Sequence, residues 1–259
     1  MYARVNNASY GLKQAGRIAH NNLVNQLAEA GYKKTMIEGY FQHKTRDMLV
    51  VDDFLIKYTL EEDLWHLPDT IEAHYKFKVD LEAKQYVGIN LKWENNKQTV
   101  QLSMDGYVKQ AVQKFKHEAP DKPYYSPSMY TPPHFGAKVQ FAKVDETAPL
   151  DKDKINFIQK VVGKLLYHAC AVDSTMLYAI NVISLSINKG TEATMDTTMY
   201  LLNYTHTHPH TKIIYRASDL ILRVDSNAAY LVALEAQSRA GGCQYLSNKE
   251  EYYLIDRWQ

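Results

Sequence analysis

The sequence has only two cysteines among its 259 residues, Cys170 and Cys243, and they do not form a cluster of metal ligands. We expect both to be reduced thiols of an intracellular protein, in the cytoplasm or the nucleus, because structural disulfides belong to oxidising compartments. No apolar run approaches the length that spans a membrane, and the N-terminus lacks a signal-peptide pattern. These absences argue against a secreted or membrane-spanning protein.

The chain also lacks a clear excess of charge of either sign, since its formal net charge is +1. Net charge therefore gives no support for nucleic-acid binding by the protein as a whole. Residues 1–50 differ, because they hold seven basic residues against three acidic ones. This local excess fits a surface that faces phosphates, and an ordinary solvated surface explains it equally well. The residues are Arg4, Lys13, Arg17, Lys33, Lys34, Lys44 and Arg46 against Glu29, Glu38 and Asp47.

Proline is scarce outside one segment, since six of the eight prolines lie between residues 119 and 149. We interpret this segment as an extended surface connector, with disorder as the alternative, because so many prolines prevent regular structure. Apolar residues make up 46% of the chain, which is enough for a substantial core in one to three domains.

His206, His208 and His210 alternate around Pro209, and we interpret them as part of a polar loop rather than a metal site.

Two adjacent carboxylates, Asp52 and Asp53, stand inside an apolar run from Met48 to Ile56. Like charges in such a setting repel each other unless a cation or a proton compensates. A tight β-hairpin with the pair at its bend satisfies the pattern, and paired carboxylates suit Mg²⁺ or Mn²⁺. A solvent-exposed turn is the alternative, because Asp is common in turns.

The neighbouring motifs resemble the reverse transcriptase of copia-type retrotransposons, in the same order and at similar spacing. They cover nearly the whole chain, and five in this order are far more specific than any one of them. They are Tyr10-Gly11-Leu12-Lys13-Gln14-Ala15, Val50-Val51-Asp52-Asp53, Tyr86-Val87-Gly88-Ile89, Leu102-Ser103-Met104-Asp105-Gly106-Tyr107 and Val162-Gly163-Lys164-Leu165-Leu166-Tyr167. Ser238-Arg239-Ala240-Gly241-Gly242 further resembles part of the early ribonuclease H domain of such elements.

The resemblance implies an α+β fold: a partial polymerase palm with an antiparallel sheet and helices, a helical thumb, and truncated ribonuclease H-like strands. It implies partial fingers and palm over residues 1–118, the proline-rich connector over 119–150, a helical thumb or connection over 151–211, and a ribonuclease H-like segment over 212–259. A helical bundle with a purely structural role is the alternative for the third segment.

The local patterns predict the individual elements. Helices are expected over residues 14–31, with Gly31 as the stop, from Thr59 with Glu62 as capping partner, over 106–115, within 153–188 and over 191–204. Strands are expected around Tyr40–His43, in the carboxylate hairpin, and over Tyr86–Trp93 and Thr99–Ser103. Three further strands are expected at 213–215, 220–224 and 242–246.

The resemblance also implies roles for individual residues. Asp52 and Asp53 would be the catalytic, metal-binding pair; Lys13, Gln14 and Arg17 would contact nucleotide or template; and Val87, Gly88 and Ile89 would form the primer grip. The substrates would be an RNA or DNA template-primer and deoxynucleoside triphosphates. Val50 replaces the aromatic residue that the family has two positions before its first Asp.

Nucleotidyl transfer uses two metal ions, and two carboxylates alone hold Mg²⁺ weakly. In the family a third acid lies upstream of the motif at Tyr10, whereas this sequence has no Asp or Glu before Glu29. We therefore expect an incomplete polymerase site. The ribonuclease H motif is also degenerate, because Asn227 occupies the position of the metal-binding Asp, and Asp225 stands two residues earlier. We expect no ribonuclease H activity.

Three functions remain compatible with the sequence. The first is a reverse transcriptase domain of a copia-like retrotransposon, in a truncated and catalytically impaired form. The second is a non-catalytic remnant that binds nucleic acid weakly. The third is an unrelated metal-dependent hydrolase that uses Asp52 and Asp53, which ranks last because no accompanying His or carboxylate motif is present.

Overall fold

A computed structural model describes residues 15–37, 39–43, 46–50, 54–58, 60–129, 145–231 and 237–249. The chain divides into two compact units, residues 1–88 and residues 89–259. The described residues form helices and antiparallel sheets, so the predicted α+β class is confirmed. The four segment boundaries predicted from the sequence remain predictions.

The first unit combines two helices with a four-stranded antiparallel sheet. Helix α1 (Ala15–Glu29) precedes the strands, which pair in chain order and are followed by α2 (His66–Glu72) and the short strand β5 (Gln85–Tyr86). The four paired strands are β1 (Lys33–Lys34), β2 (Tyr40–His43), β3 (Arg46–Val50) and β4 (Phe54–Tyr58). Their buried core consists of Leu27, Tyr32, Phe41, Leu67 and Ile71.

Helix α1 ends as its sequence predicts. Gly31 has a φ of 88°, a left-handed conformation that glycine adopts without a Cβ penalty. The Gly31 amide donates to the Ala28 carbonyl at 3.0 Å, and the Tyr32 amide donates to the Leu27 carbonyl at 2.9 Å. These two bonds form a Schellman motif, which satisfies the last carbonyls of the helix and turns Tyr32 into the core beside Leu27.

The second unit combines a sheet, a helical bundle and a separate hairpin. Strands β6 (Ile89–Glu94), β7 (Thr99–Ser103) and β8 (Lys212–Arg216) pair antiparallel in that order. Between β7 and β8 lie α3 (Tyr107–Lys114), α4 (Lys152–Ala171), α5 (Leu177–Ser186) and α6 (Glu192–Thr207). Strands β9 (Ile221–Ala229) and β10 (Arg239–Ser247) pair only with each other among the described strands.

The helical bundle holds the largest core of the described residues. Its centre is aliphatic and almost wholly inaccessible to solvent, with Ile158, Val161, Leu165, Ile180, Ile183, Leu201 and Leu202 among its members. Side chains cap two of the helices. The Asp151 carboxylate accepts the Lys154 amide at 2.8 Å before α4, and Thr191 forms a capping box with Thr194 before α6.

Two element predictions are wrong. The helix expected from Thr59, a residue outside the described ones, is replaced by a short 3-10 helix at Glu61–Asp63, and α2 begins only at His66. Pro68 explains this start, because proline is tolerated in a first helical turn, where its missing amide needs no partner. The strand expected over Tyr86–Trp93 is broken at Val87 and Gly88, which both have positive φ.

The strand at 213–215 also has an unexpected partner. It was expected with the ribonuclease H-like strands, whereas β8 pairs with β7, Ile213 lying opposite Leu102 and Tyr215 opposite Val100. Strands β9 and β10, which cover the other two expected runs, form their own two-stranded hairpin. None of the helices in the described part of the chain is long and apolar enough to cross a membrane.

Candidate functional site

The carboxylate run lies in a β-hairpin, as its pattern predicts. Strands β3 and β4 are antiparallel, with Leu49 opposite Leu55 and Val50 opposite Phe54. Asp52 and Asp53 follow β3 and precede β4 in the sequence, but they lie outside the described residues. Their position at the bend and the placement of their carboxylates stay predictions.

The residues assigned to nucleotide and template contact are only partly described. Lys13 and Gln14 lie outside the described residues, whereas Arg17 is exposed in the first turn of α1. No acidic residue stands in that first turn. On the other side of the glycine stop, Lys33 and Lys34 are exposed on β1. The described part of the first unit thus presents basic side chains at both ends of α1.

The primer-grip motif forms a tight turn between β5 and β6. Val87 has a φ of 43° and Gly88 a φ of 77°, and Ile89 begins β6. Positive φ at both central residues is the signature of a two-residue type I′ turn. Glycine adopts this conformation freely, but a β-branched residue such as valine is strained in it. Backbone strain of this kind is concentrated at functional sites. The primer-grip role of the turn stays a prediction.

The degenerate ribonuclease H motif lies on β9. Asp225 pairs with Cys243 and Asn227 with Gly241, so both side chains belong to the same face of the hairpin and are exposed. Partial desolvation raises the pKa of the Tyr245 phenol, and the neighbouring Asp225 carboxylate, which is hydrogen-bonded to it, raises that pKa further. The Asn227 side-chain oxygen accepts the Ala228 amide at 2.8 Å. Asp225 and Asn227, the two candidate metal ligands, therefore each form a hydrogen bond with a neighbouring residue.

The described residues contain no group of three or more His, Cys, Asp or Glu side chains that could hold a metal ion. This statement covers Asp225 and the three alternating histidines, of which His206 lies in the last turn of α6 and His208 and His210 follow it. His208 instead donates from Nε2 to the Tyr124 carbonyl at 2.8 Å, and it packs against Tyr204 with ring centroids 4.7 Å apart. The predicted polar loop is wrong for His206, which belongs to α6, and His208 is partly buried by these contacts, whereas His210 is exposed. The expectation that the three histidines bind no metal stays a prediction.

Two clusters near these motifs were not apparent from the sequence. In the first unit, the Tyr32 hydroxyl is 3.1 Å from Nδ1 of His66, and the rings of His43 and His66 are 5.2 Å apart. The ring contact between His43 and His66 joins β2 to α2, and Tyr32, between α1 and β1, contacts both rings. An open cleft of about 420 Å³ beside α1 is lined by Val24, Ala28, Gly31, Tyr32, Lys33, Lys34 and Phe41.

The second cluster joins α3 to α4. The Tyr107 hydroxyl donates to the Lys164 carbonyl at 2.8 Å, and the Lys164 ammonium lies 3.9 Å from the centre of the Tyr107 ring. His168 stacks on the same ring at 5.8 Å with an interplanar angle of 12°. Burial lowers the pKa of His168, although the charge of Asp173 opposes this. His168, which no sequence motif had singled out, is thus a buried polar residue of the helical bundle.

Residues 2–128 match the family model described as reverse transcriptase (RNA-dependent DNA polymerase). No curated protein and no solved structure matches the chain. The matched segment includes the β3–β4 hairpin, the turn at Val87 and Gly88, and helix α3. Residues 2–128 are therefore a reverse transcriptase domain. The function expected from the resemblance, a reverse transcriptase domain of a retrotransposon, is confirmed for this segment.

Proposed function

We propose that the chain carries the RNA-directed DNA polymerase domain of a copia-type element, in a catalytically impaired form. The observation that carries the proposal is the β3–β4 hairpin, whose strands flank residues 51–53 within the segment that matches reverse transcriptases. In this proposal Asp52 and Asp53 bind Mg²⁺ or Mn²⁺. Template-primer and deoxynucleoside triphosphates are the substrates, with Lys13, Gln14 and Arg17 contacting nucleotide or template.

The proposed impairment follows from the chemistry of metal binding. Two metal ions must be held while one activates the primer hydroxyl and the other binds the triphosphate. Mg²⁺ demands near-octahedral oxygen ligation, and two adjacent carboxylates supply too few ligands for tight binding. A non-catalytic remnant that binds nucleic acid weakly is therefore the second candidate.

For the C-terminal segment we propose a ribonuclease H-like origin without ribonuclease H activity. Asn227 is a neutral and poor metal ligand, and Asp225 is hydrogen-bonded to Tyr245. We further propose an intracellular location, in the cytoplasm or nucleus. Support for this location comes from Cys170 and Cys243, which are both exposed free thiols.

A primer-extension assay tests the polymerase proposal. The purified chain is given a labelled DNA primer on an RNA template, all four deoxynucleoside triphosphates, and Mg²⁺ or Mn²⁺. We expect extension far slower than that of an intact polymerase, and loss of this residual extension in Asp52→Asn. The matched control is Asp69→Asn, which removes an exposed carboxylate from α2 of the same unit.

The outcomes separate the two candidates. Extension that needs the divalent cation and disappears only in Asp52→Asn supports an impaired polymerase. No extension by the unaltered chain, together with retained binding of the template-primer, supports the non-catalytic remnant. Extension of equal rate in Asp52→Asn would exclude the carboxylate pair from the chemistry.

A further inference from the structure

The hairpin of β9 and β10 has no further strand beside it in the described part of the chain. Its register runs without a bulge from Ile221 opposite Ser247 to Ala229 opposite Arg239. A two-stranded hairpin is marginally stable on its own, whereas three or more strands form a stable sheet. The long outer edge of β9 is therefore a place where a further strand can pair with the backbone.

One face of this hairpin is apolar and exposed. Leu222 lies opposite Leu246, and Val224 follows two residues later on β9, so the three side chains share a face. They are 63%, 55% and 56% exposed in that order. Strand β9 also contains neither proline nor lysine, the residues that commonly prevent edge pairing. These features are typical of an edge that pairs with another strand.

The charges of β9 indicate which strand this is. Arg223 and Asp225 stand on either side of Val224 and belong to the opposite face. If two copies of β9 pair antiparallel about a two-fold axis at Val224, Arg223 of each copy lies opposite Asp225 of the other. An axis at Arg223 would place two arginines opposite each other, and an axis at Asp225 would do the same with two aspartates. Like charges directly opposite destabilise a sheet, so β9 is complementary to itself in one register.

The contacts that these two side chains already make are compatible with this pairing. Nε of Arg223 donates to Oγ of Ser247 at 3.2 Å, and a guanidinium has further N–H donors for a carboxylate. Asp225 is hydrogen-bonded to the Tyr245 hydroxyl, and an ionised carboxylate accepts more than one hydrogen bond. Both side chains can thus keep these bonds and add an ion pair across the new strand boundary.

We propose that two copies of the chain associate through β9. The product is a four-stranded antiparallel sheet in the order β10–β9–β9′–β10′, where the primed strands belong to the second copy. Residues 221–227 of the two copies pair, with Val224 opposite its own equivalent and Leu222 opposite Ser226. Such a two-fold contact uses the same edge on both copies and leaves neither β9 edge open. Because only one strand of each copy takes part, the interface is small and the dimer is weak.

A charge exchange tests the pairing. Analytical ultracentrifugation of the full chain, without nucleic acid, should show a dimer that forms as the protein concentration rises. Arg223→Asp places two aspartates opposite each other, and Asp225→Arg places two arginines opposite each other. Each variant alone should dimerise roughly 5- to 50-fold more weakly. An equimolar mixture of the two variants regains both opposite-charge pairs and should dimerise like the unaltered chain. Asp196→Arg, an exposed charge reversal on α6 of the same unit, is the matched control and should change nothing.

Oxidative cross-linking tests the register. The exposed Cys170 and Cys243 are first replaced by serine. In this background Val224→Cys should form a disulfide-linked dimer, because directly opposite residues have Cα atoms about 4.5–5.5 Å apart, which a disulfide spans. Leu222→Cys is the matched control and should not cross-link to itself, since its two copies are more than about 13 Å apart along the strands. A mixture of Leu222→Cys and Ser226→Cys should cross-link.

Each outcome decides for or against the proposal. A chain that stays monomeric at every concentration overturns it, as does equal dimerisation of the charge variants and the unaltered chain. Two folded charge variants, verified by circular dichroism, that fail to associate when mixed also overturn it. Cross-linking through Cys243 of the unaltered chain, without cross-linking of Val224→Cys, would mean pairing through β10 instead. Val224→Cys keeps both charges, so its cross-linking decides the outcome even if a charge variant does not fold.

Discussion

At the residue scale, the strained turn at Val87 and Gly88 offers the most direct test. Valine at a φ of 43° is crowded by its branched side chain, whereas asparagine tolerates the left-handed region well. We expect Val87→Asn to stabilise the protein by about 1 kcal/mol. Urea denaturation measures this change, and Val24→Asn, on helix α1 of the same unit, is the control that should destabilise instead. A destabilised Val87→Asn would mean that the valine makes contacts worth more than its backbone strain.

His168 is the second residue with a measurable consequence. Its side chain is 1% exposed, and neither ring nitrogen has a hydrogen-bond partner among the described residues. Because burial lowers its pKa below the ordinary value of 6.5, the unfolded chain takes up a proton more readily than the folded one. This contribution to stability is complete above pH 6.5 and declines as the pH falls toward the folded-state pKa.

We therefore expect His168→Phe to stabilise the protein by about 1 kcal/mol at neutral pH, since an apolar ring removes a buried polar group without partners and can still stack on Tyr107. The gain should grow as the pH falls from 7 to 5. Urea midpoints at several pH values measure it. The exposed His210→Phe serves as control, and a gain independent of pH would contradict the role of the buried imidazole.

Gly31 and Val87 show what can be predicted from the sequence at this scale. The stop at Gly31 is predictable because it depends on local backbone chemistry that glycine alone supplies. The break at Val87 is not, because valine is typical of strands and its positive φ is imposed by the turn that surrounds it. His168 is likewise unremarkable in the sequence, since its burial depends on helices that pack from distant positions.

At the element scale, the N-terminus of α6 depends on its capping box. Thr191 accepts the Thr194 amide, and the Thr194 hydroxyl lies 3.3 Å from the Thr191 amide. We expect Thr191→Ala to cost about 1 kcal/mol, because it leaves helix amides without partners. Thr197→Ala is the control inside the same helix, where the hydroxyl only bonds the Ala193 carbonyl and alanine favours the helix. Thermal unfolding of both variants measures the difference, and equal losses would exclude the cap as the cause.

The strands illustrate a second limit of the sequence. The short apolar run over residues 213–215 predicts that β8 exists, and the structure has it at Lys212–Arg216. Its partner is β7, which lies before the whole helical bundle in the chain. A local pattern sets which residues form a strand, but pairing is decided by side-chain packing across the sheet and cannot be found from the strand alone. The hairpin β3–β4 was predictable because its partner follows after only three residues.

At the scale of the whole molecule, the two compact units have separate cores. Leu27, Phe41 and Ile71 are buried within residues 1–88, whereas Ile158, Leu165 and Leu201 are buried within residues 89–259. The candidate sites divide in the same way, since the carboxylate hairpin belongs to the first unit and the ribonuclease H-like strands to the second. Stability and function of the two units can therefore be perturbed separately.

We expect calorimetry to resolve two unfolding transitions, because a core that is confined to one unit confers cooperativity on that unit. Leu27→Ala should lower only one transition and Leu201→Ala only the other, each costing about 2–5 kcal/mol, since both side chains are fully buried. Exposed Leu60→Ala and Leu185→Ala are the respective controls and should change little. If both core variants shifted a single transition by similar amounts, the two units would unfold as one cooperative structure. A destabilising substitution in either unit would then lower the stability of the entire chain.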